Sequence, residues 1–372
     1  MNASNAFFSR RKFLTHASYF GGLYALASQF PFPAVAHSLS DDPHIAQTPI
    51  ADAGFASVRK IGDGLYSTIS DPSKGMQTRC NGGFLVGKDS ALLLEGYQTP
   101  AGAKFQWDTF RGVSQIPAMG ALNTHYHYDH SMGNSFYGVS GVNIWAHANV
   151  PDRMIHEYGA LQSMDKAAAI APLEKILKDA KTDSQKQHAK DDLGFFNGVY
   201  EAANSALIAV PNKRINPANF PLHLDLGHMP IILETFPGHS GTDVIVRVPE
   251  QKVVFAGDLV FNGIFPVCFD SQATVSGWRA TLKTFAGYDK DTIFSPGHGA
   301  ICGQDGIQRM RDQFDDISEY AEKKYKAGAP VQDAVDNYVI PDKFKGVYVM
   351  AWDFTIGSII TKLYAEWGGK LS

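Results

Sequence analysis

Short apolar segments separated by glycine-containing breaks mark the first third of the chain. Aliphatic and aromatic runs cover residues 64–69, 82–87 and 91–95. They predict a meander of short strands, because glycine lets the chain turn after each run. A weaker helical pattern follows over 98–113, and a further apolar run over 118–123 predicts the next strand. The order strand, helix, strand indicates a sheet with helices packed outside it.

The second half of the chain repeats this outline without repeating the sequence. Its predicted strands lie at 222–226, 230–236, 242–248, 252–257 and 291–295, with a helix over 274–287. Between the halves, residues 150–215 carry apolar positions at helical spacing, which predicts a helical insertion. The insertion could pack on the sheet or serve as a lid over a substrate cleft. Residues 303–372 begin with an amphipathic stripe and are predicted to form a C-terminal helical extension.

The N-terminus has the features of an export signal. The letters SRRKFL at 9–14 form a twin-arginine pattern, followed by a mildly apolar run over 17–30 and by AVA at 34–36. Small residues there suit signal peptidase, so residues 1–36 are predicted to be a twin-arginine signal peptide and 37–54 a polar linker. We therefore expect export to the periplasm by the twin-arginine translocase. Because glycines weaken the apolar run, no stable membrane anchor is expected, with a permanent N-terminal anchor as the alternative.

Composition and charge narrow the function classes. The 372 residues are 44% hydrophobic and 19% charged, which is enough apolar material for one large core or two modest ones. The formal net charge is −4, so no basic surface for nucleic acid is indicated and none is expected as a partner. The three cysteines, Cys80, Cys268 and Cys302, form no Cys-x-x-Cys pair, which argues against a thiolate metal site. Buried thiols are favoured over one disulfide.

Metal-ligating residue types are concentrated at residues 123–134. This segment, NTHYHYDHSMGN, contains His125, His127, Asp129 and His130. Imidazole nitrogen and carboxylate oxygen are ligands that suit Zn²⁺, Fe²⁺ and Mn²⁺. On an extended segment, His125 and His127 point to the same side and can bind one ion, with Asp129 and His130 beyond it. The spacing differs from the i, i+4 histidine pair of a helical zinc protease.

The pattern His-x-His-x-Asp-His resembles the signature of the metallo-β-lactamase fold superfamily. Further segments resemble the other motifs of that family in the same order: PGHS at 237–240, AGD at 256–258 and SPGHG at 295–299. The resemblance implies the α/β fold of the family over residues 55–302, a four-layer αβ/βα sandwich of two mixed sheets. It also implies two metal sites that share one aspartate. Their ligands would be His125, His127 and His239 for the first, Asp129, His130 and His298 for the second, and Asp258 between them.

The resemblance further implies an exported dinuclear zinc hydrolase with Asp129 and Asp258 as catalytic residues. A metal-bound hydroxide would attack the carbonyl of a small-molecule ester, thioester, lactone or β-lactam, and iron or manganese stays open as the native metal. Aspartate at position 258 differs from the cysteine of some β-lactamases. The chain is instead similar to glyoxalase-II-like enzymes and to periplasmic zinc hydrolases associated with sulfur-oxidation or quinoprotein systems. Phenylalanines in 261–273 suggest a moderately hydrophobic acyl group.

Three alternatives stay open. The first is a mononuclear iron enzyme that resembles the persulfide dioxygenases of this fold. Persulfide oxidation does not need the complete second set of ligands that this chain has. A phosphate or sulfate ester hydrolase is another alternative. A non-catalytic binding protein is the least favoured, because such a protein is expected to have lost metal ligands.

Overall fold

The structure, a computed structural model, describes residues 48–205 and 207–368. The predicted signal peptide, residues 1–36, lies outside the described residues, as does most of the predicted linker. The end of that linker contains a short strand, Ala51–Asp52, which pairs with the next strand. None of the helices in the described ranges combines the length and apolar character that a membrane crossing requires.

Eight strands form the first sheet, and their order in the sheet is their order in the chain. They are Ala51–Asp52 (β1), Ala56–Gly62 (β2), Leu65–Ser70 (β3), Gly82–Val86 (β4), Ala91–Leu94 (β5), Ala118–Leu122 (β6), Ile144–His147 (β7) and Lys213–Ile215 (β8). Strands β1 to β5 form an antiparallel meander, of which the glycine-separated runs predicted β3 to β5. Strands β5 to β8 are parallel, because helical connections carry the chain back between them.

Five strands form the second sheet, in the order β13-β12-β11-β10-β9. They are Leu222–Asp225 (β9), Pro230–Thr235 (β10), Val244–Val248 (β11), Val253–Asn262 (β12) and Ile293–Gly299 (β13). Strands β12 and β13 are parallel, and the other neighbours are antiparallel. Both sheets are therefore mixed.

The strands divide the α-helices of the described residues into five sets along the chain. They are Pro100–Val113 (α1), Tyr128–Ser131 (α2), Asn134–Val139 (α3), Val150–Ser163 (α4), Lys166–Asp179 (α5), Asp183–Ser205 (α6), Val275–Ala286 (α7), Gln304–Lys326 (α8), Val331–Asp336 (α9) and Ile356–Glu366 (α10). Helix α1 begins after Thr99, whose side chain accepts a hydrogen bond from the Gly102 N–H at 3.3 Å. Helices α4 to α6 occupy most of the predicted insertion, which ends in β8 at the edge of the first sheet.

Three clusters of buried apolar residues show how the layers pack. Strand β5 illustrates the division, because Leu92 and Leu94 face the second sheet whereas Leu93 faces α1. The third cluster packs α7, α8 and α10 against the outer face of the second sheet, and it includes apolar residues of α4. The layer order is helix, sheet, sheet, helix, so the predicted four-layer αβ/βα sandwich is confirmed. Cys80, Cys268 and Cys302 are buried free thiols, as the sequence favoured.

Candidate metal centre

The four predicted motifs meet at one end of the two sheets. His125 and His127 follow β6, Asp129 and His130 lie on the short helix α2, and His239 lies in the loop between β10 and β11. Asp258 belongs to β12 and His298 to β13. All seven side chains are buried. Segments far apart in the sequence therefore bring all the predicted site residues into one centre.

Strand β12 is irregular where it carries Asp258. Its pairing with β13 shifts register on both sides of Gly257, and such irregularities redirect side chains next to functional sites. Gly257 has a φ of +51°, and a Cβ there would lie 2.7 Å from Thr124 Oγ1. Glycine is therefore required for β12 to approach the segment that carries His125.

The first donor group consists of His125, His127 and His239. Nδ1 of His127 lies 3.0 Å from Nε2 of His125 and 2.8 Å from Nε2 of His239. The Oδ2 atom of Asp258 lies 3.3 Å from Nε2 of His239 and 3.9 Å from Nε2 of His125. One donor atom from each of these four residues lies within 4.8 Å of the others. Converging imidazole nitrogens beside a carboxylate suit a divalent cation.

The second donor group consists of Asp129, His130 and His298, whose donor atoms also lie within 4.8 Å of one another. Nε2 of His298 lies 3.3 Å from Oδ2 of Asp129 and 3.4 Å from Oδ2 of Asp258. Nε2 of His130 lies 3.1 Å from Oδ1 of Asp258. Asp258 therefore contacts both donor groups, as expected of a shared ligand.

The buried polar atoms of the centre fit bound metal ions. Oδ2 of Asp129 and Oδ1 of Asp258 are buried, and although each lies 3.3 Å or less from a histidine nitrogen, neither accepts a hydrogen bond of adequate geometry within the described part of the chain. Leaving such an atom unpaired costs roughly 1–3 kcal/mol, and more for a charged group. Five imidazoles and two carboxylates without sulfur are a donor set suited to Zn²⁺, Fe²⁺ or Mn²⁺. A divalent metal is therefore a chemically suitable partner for these residues.

Contacts behind the first donor group orient its rings. Nδ1 of His239 donates to the carbonyl oxygen of Val267 at 2.9 Å. Nε2 of His127 lies 3.2 Å from Oδ2 of Asp270, and Nδ1 of His125 lies 3.1 Å from Oγ1 of Thr124. These contacts occupy the far nitrogen of each ring. The near nitrogens, Nδ1 of His127 and Nε2 of the other two, are left to face the centre.

Asp270 is a residue of the centre that the sequence analysis missed. It is fully buried, and its Oδ2 atom accepts hydrogen bonds from the Tyr126 hydroxyl at 2.6 Å and from Nη2 of Arg153 at 3.0 Å. Burial raises its pKa, but contacts with His127, Arg153 and Tyr126 outweigh burial and lower the pKa to about 2. The available sequence signal was weak: Asp270 is the first charged residue after Asp258 in an otherwise largely apolar stretch.

Glu95, at the end of the predicted strand 91–95, was also missed. It follows β5 with a φ of +72°, and its Oε1 atom lies 3.0 Å from Nδ1 of His130. Its carboxylate accepts hydrogen bonds from the Thr124 hydroxyl at 2.6 Å and from the Thr124 N–H at 3.2 Å. Burial raises the pKa of Glu95. Glu95 therefore supports His130 of the second donor group directly and reaches His125 of the first only through Thr124.

The two donor groups differ in electrostatics. Burial lowers the pKa of His125 far below its usual value and lowers the pKa of His127 to about 4. Burial also disfavours the charged form of His298, but Asp258 and Asp129 outweigh it and raise the pKa of His298 to about 9. The neighbouring Cys80, Asp258 and Glu95 likewise raise the pKa of His130 against the effect of burial. Without metal, His125 and His127 are therefore neutral, whereas His130 and His298 carry protons.

Aromatic rings cover part of the centre. Phe269 stacks on His127 with ring centroids 5.4 Å apart, and Phe354 meets Phe269 edge to face at 5.2 Å. Phe261 stacks on His298 at 5.2 Å. Phe261 and Phe269 belong to the stretch 261–273, whose phenylalanines suggested a moderately hydrophobic acyl group. They surround the donor groups with apolar surface on two sides.

Comparison with known proteins places the chain in a family. The family model described as the metallo-beta-lactamase superfamily matches residues 75–298, more than half of the 372 residues and a range that contains all seven predicted ligands. A crystal structure of a metallo beta lactamase from Erythrobacter litoralis, with beta mercaptoethanol in its active site, is 14% identical over 72% of this chain and 99% of that chain, with a TM-score of 0.47. A structure of TMB-1 is 15% identical over 71% of this chain and 98% of that chain, with a TM-score of 0.46. Because the family model matches residues 75–298 and the buried donor groups of this chain lie in that range, the chain belongs to the metallo-β-lactamase superfamily and is a metal-dependent hydrolase.

Proposed function

We propose that this chain is an exported dinuclear zinc hydrolase that cleaves a small-molecule ester, thioester, lactone or β-lactam. The observation that carries the proposal is the pair of buried donor groups in contact with one shared carboxylate, Asp258. His125, His127 and His239 would hold one zinc ion. Asp129, His130 and His298 would hold the other. The complete second donor group favours this proposal over a mononuclear iron enzyme.

Two bound zinc ions would supply a nucleophile at neutral pH, because zinc lowers the pKa of water to about 7, and they would polarise the substrate carbonyl. The chain contributes the orientation of the reactants. Oδ2 of Asp129 accepts no hydrogen bond from the described residues, so it is placed to accept one from the attacking water. Phe269 and Phe261, stacked on His127 and His298, exclude bulk water and favour an apolar acyl group.

Export is supported by the twin-arginine pattern at residues 9–14 and the small residues at 34–36. The route suits a metalloenzyme, because the protein crosses the membrane folded and the metal can be bound beforehand. The test is expression of the full chain in a bacterium that has the twin-arginine machinery. We expect enzyme in the periplasm with its new N-terminus near residue 37. Replacing Arg10 and Arg11 by lysine should leave the protein in the cytoplasm, and equal export of both forms would refute this part of the proposal.

Hydrolysis is tested on the purified protein with two equivalents of zinc. The panel contains a chromogenic cephalosporin, a lactone, a thioester and an aryl ester, each with and without chelator. We expect one class to be cleaved well above the others and the chelator to stop the reaction. A silent panel with both zinc ions bound would overturn carbonyl hydrolysis. Phosphate and sulfate esters, and a persulfide with the iron-loaded protein, would then distinguish the alternatives.

A further inference from the structure

Helix α4, the first helix of the insertion, brings one arginine to the metal centre. The side chain of Arg153 is 12% exposed, and its guanidinium lies over the ring of Tyr126, 4.1 Å from the ring centroid. The same helix is fixed to the centre at a second point, because the Tyr158 hydroxyl donates a hydrogen bond to the carbonyl oxygen of Tyr126. The insertion is therefore in direct contact with the segment that carries the first histidines.

The guanidinium of Arg153 connects three segments of the chain. Nη1 donates to the carbonyl oxygen of Ser240 at 3.0 Å, and Nη2 donates to the Tyr126 hydroxyl at 2.8 Å. Both nitrogens also contact the Asp270 carboxylate, Nη2 at 3.0 Å and Nη1 at 3.4 Å. The planar, rigid guanidinium can donate hydrogen bonds in all these directions at once, whereas a lysine ammonium on a flexible stem cannot reproduce this set of hydrogen bonds.

Each of these contacts is next to a histidine of the first donor group. Tyr126 lies between His125 and His127 in the chain. Ser240 follows His239, and Asp270 contacts Nε2 of His127. One guanidinium therefore touches the immediate neighbours of all three histidines. By contrast, Glu95, which supports the second donor group, lies at the end of β5 in the first sheet.

We propose that Arg153 is a positioning residue for the first metal ion, so that the helical insertion sets the affinity of that site. Through Tyr126, Ser240 and Asp270, the guanidinium holds the three imidazoles in the arrangement that one ion requires. The inference rests on the proposed dinuclear function, but it concerns metal affinity and not the reaction. Loss of residues behind metal ligands typically weakens metal binding by about 10–100-fold.

The test is metal binding by the metal-free protein, purified after expression of the full chain. Co²⁺ is titrated into the parent and into Arg153→Gln, with the visible absorption of Co²⁺ as the signature of its coordination. Competition with a chelator gives the two affinities. We expect one affinity to fall by about 10–100-fold with an altered Co²⁺ spectrum, and the other to stay unchanged. Arg153→Lys should not restore the parent spectrum.

Two further variants identify the affected site and control for structural damage. In a His298→Ala background, which disables the second donor group, Arg153→Gln should weaken the remaining Co²⁺ affinity by the same factor. Arg214→Gln is the matched control. Arg214 forms an ion pair with Asp152 on the exposed side of α4 at 2.9 Å, so its loss removes an arginine contact of the same helix away from the metal.

The outcomes separate this inference from the proposed function. Unchanged Co²⁺ affinities in Arg153→Gln would overturn the inference, as would equal weakening of both ions or an equal loss in Arg214→Gln. None of these results would decide whether the parent is a hydrolase. Conversely, a silent substrate panel with two metal ions bound would overturn the proposed hydrolysis and leave a selective loss in Arg153→Gln as support for the positioning role.

Discussion

The two donor groups have similar ligands but are stabilised in different ways. In the first, Nδ1 of His239 faces a backbone carbonyl and Nε2 of His127 faces Asp270. Burial lowers the pKa of His125 and of His127. In the second, His298 faces Asp129 and Asp258 directly, and its pKa is raised to about 9. A cation can bind His125 and His127 without displacing protons, whereas at His130 and His298 it replaces protons that the carboxylates attract.

The residues that hold the two donor groups from behind also lie in different parts of the fold. Behind the first donor group lie Asp270, in the segment after β12, and Arg153, in the helical insertion. Behind the second lies Glu95, at the end of a strand in the first sheet. Changes in the insertion should therefore affect one metal ion and spare the other. Substitutions that act on both groups, on one group, or on their supports alone can test this difference.

The largest effect is expected from Asp258→Ala, because Asp258 contacts both donor groups. Hydrolysis should fall by more than about 100-fold, beyond the effect of losing a residue behind the ligands. Both Co²⁺ affinities should weaken, and circular dichroism should show that the protein stays folded. Asp63→Ala, which changes an exposed aspartate, serves as the control. Full activity in Asp258→Ala would refute the role of this residue as a shared ligand.

Asp270→Asn should weaken the first ion alone. Its carboxylate accepts hydrogen bonds from Tyr126, Arg153 and the Gln272 N–H, and an amide cannot match this set of donors. We expect the affinity for one Co²⁺ ion to fall by about 10–100-fold. In the double variant with Arg153→Gln, the losses should be less than additive, since both residues act on His127. Additive losses would show that the two residues act independently.

Glu95→Gln is the corresponding change behind the second donor group. A glutamine oxygen can still accept the hydrogen bond from the Thr124 hydroxyl, which keeps that hydroxyl against His125. The expected loss of Co²⁺ affinity is therefore about 10-fold and falls on the ion bound through His130. Co²⁺ titration beside Asp270→Asn measures this directly. If both variants weakened the same ion, the separation of the two supports would be wrong.

The sequence predicted the layers of the fold and the residues that the structure brings together, because each motif is a continuous segment with its own local pattern. His125, His127, Asp129 and His130 are visible within six positions. Most predicted boundaries agree with the structure to within two residues, but β12 ends at Asn262 and β13 at Gly299, beyond their predicted ends at 257 and 295, and β2 was not predicted. Strands β1 and β8, of two and three residues, lie in the predicted linker and insertion, since such short strands carry no measurable periodicity.

The supporting residues could not be predicted in this way. Glu95, Asp270 and Arg153 are single polar residues, each separated by many positions from the histidines they affect. Glu95 lies 29 positions before Thr124, and Arg153 lies 117 positions before Asp270. Their roles exist only in the folded chain, where distant segments converge. A charged residue that interrupts or ends an apolar run is the signal that deserves a search in related sequences.

The smallest effect on metal binding is expected at Glu157, one turn after Arg153 on α4. Its Oε1 atom lies 3.4 Å from Nη2 of Arg153, which Asp270 already binds more closely, and its Oε2 atom is buried without a hydrogen bond among the described residues. Burial raises the pKa of Glu157 to about 7, although Arg153 opposes the shift. The network behind the first donor group thus contains a second carboxyl group that the fold favours in its protonated form.

Because of this raised pKa, Glu157 lowers the stability of the fold at high pH. The pKa of Glu157 is higher in the folded protein than in the unfolded chain, so the folded protein binds the proton more tightly. The free energy of unfolding therefore falls as the pH rises from 4.5, the pKa in the unfolded chain, through about 7. Glu157→Gln removes this loss, so we expect it to raise the free energy of unfolding at pH 8 by up to about 3 kcal/mol and to change it little at pH 4. Urea unfolding at both pH values measures the difference, with the exposed Glu174→Gln as control. A gain of equal size at both pH values would mean that the amide packs better and that the charge of Glu157 is not the cause. First-site Co²⁺ affinity should be unchanged, because Asp270 remains bound to Arg153.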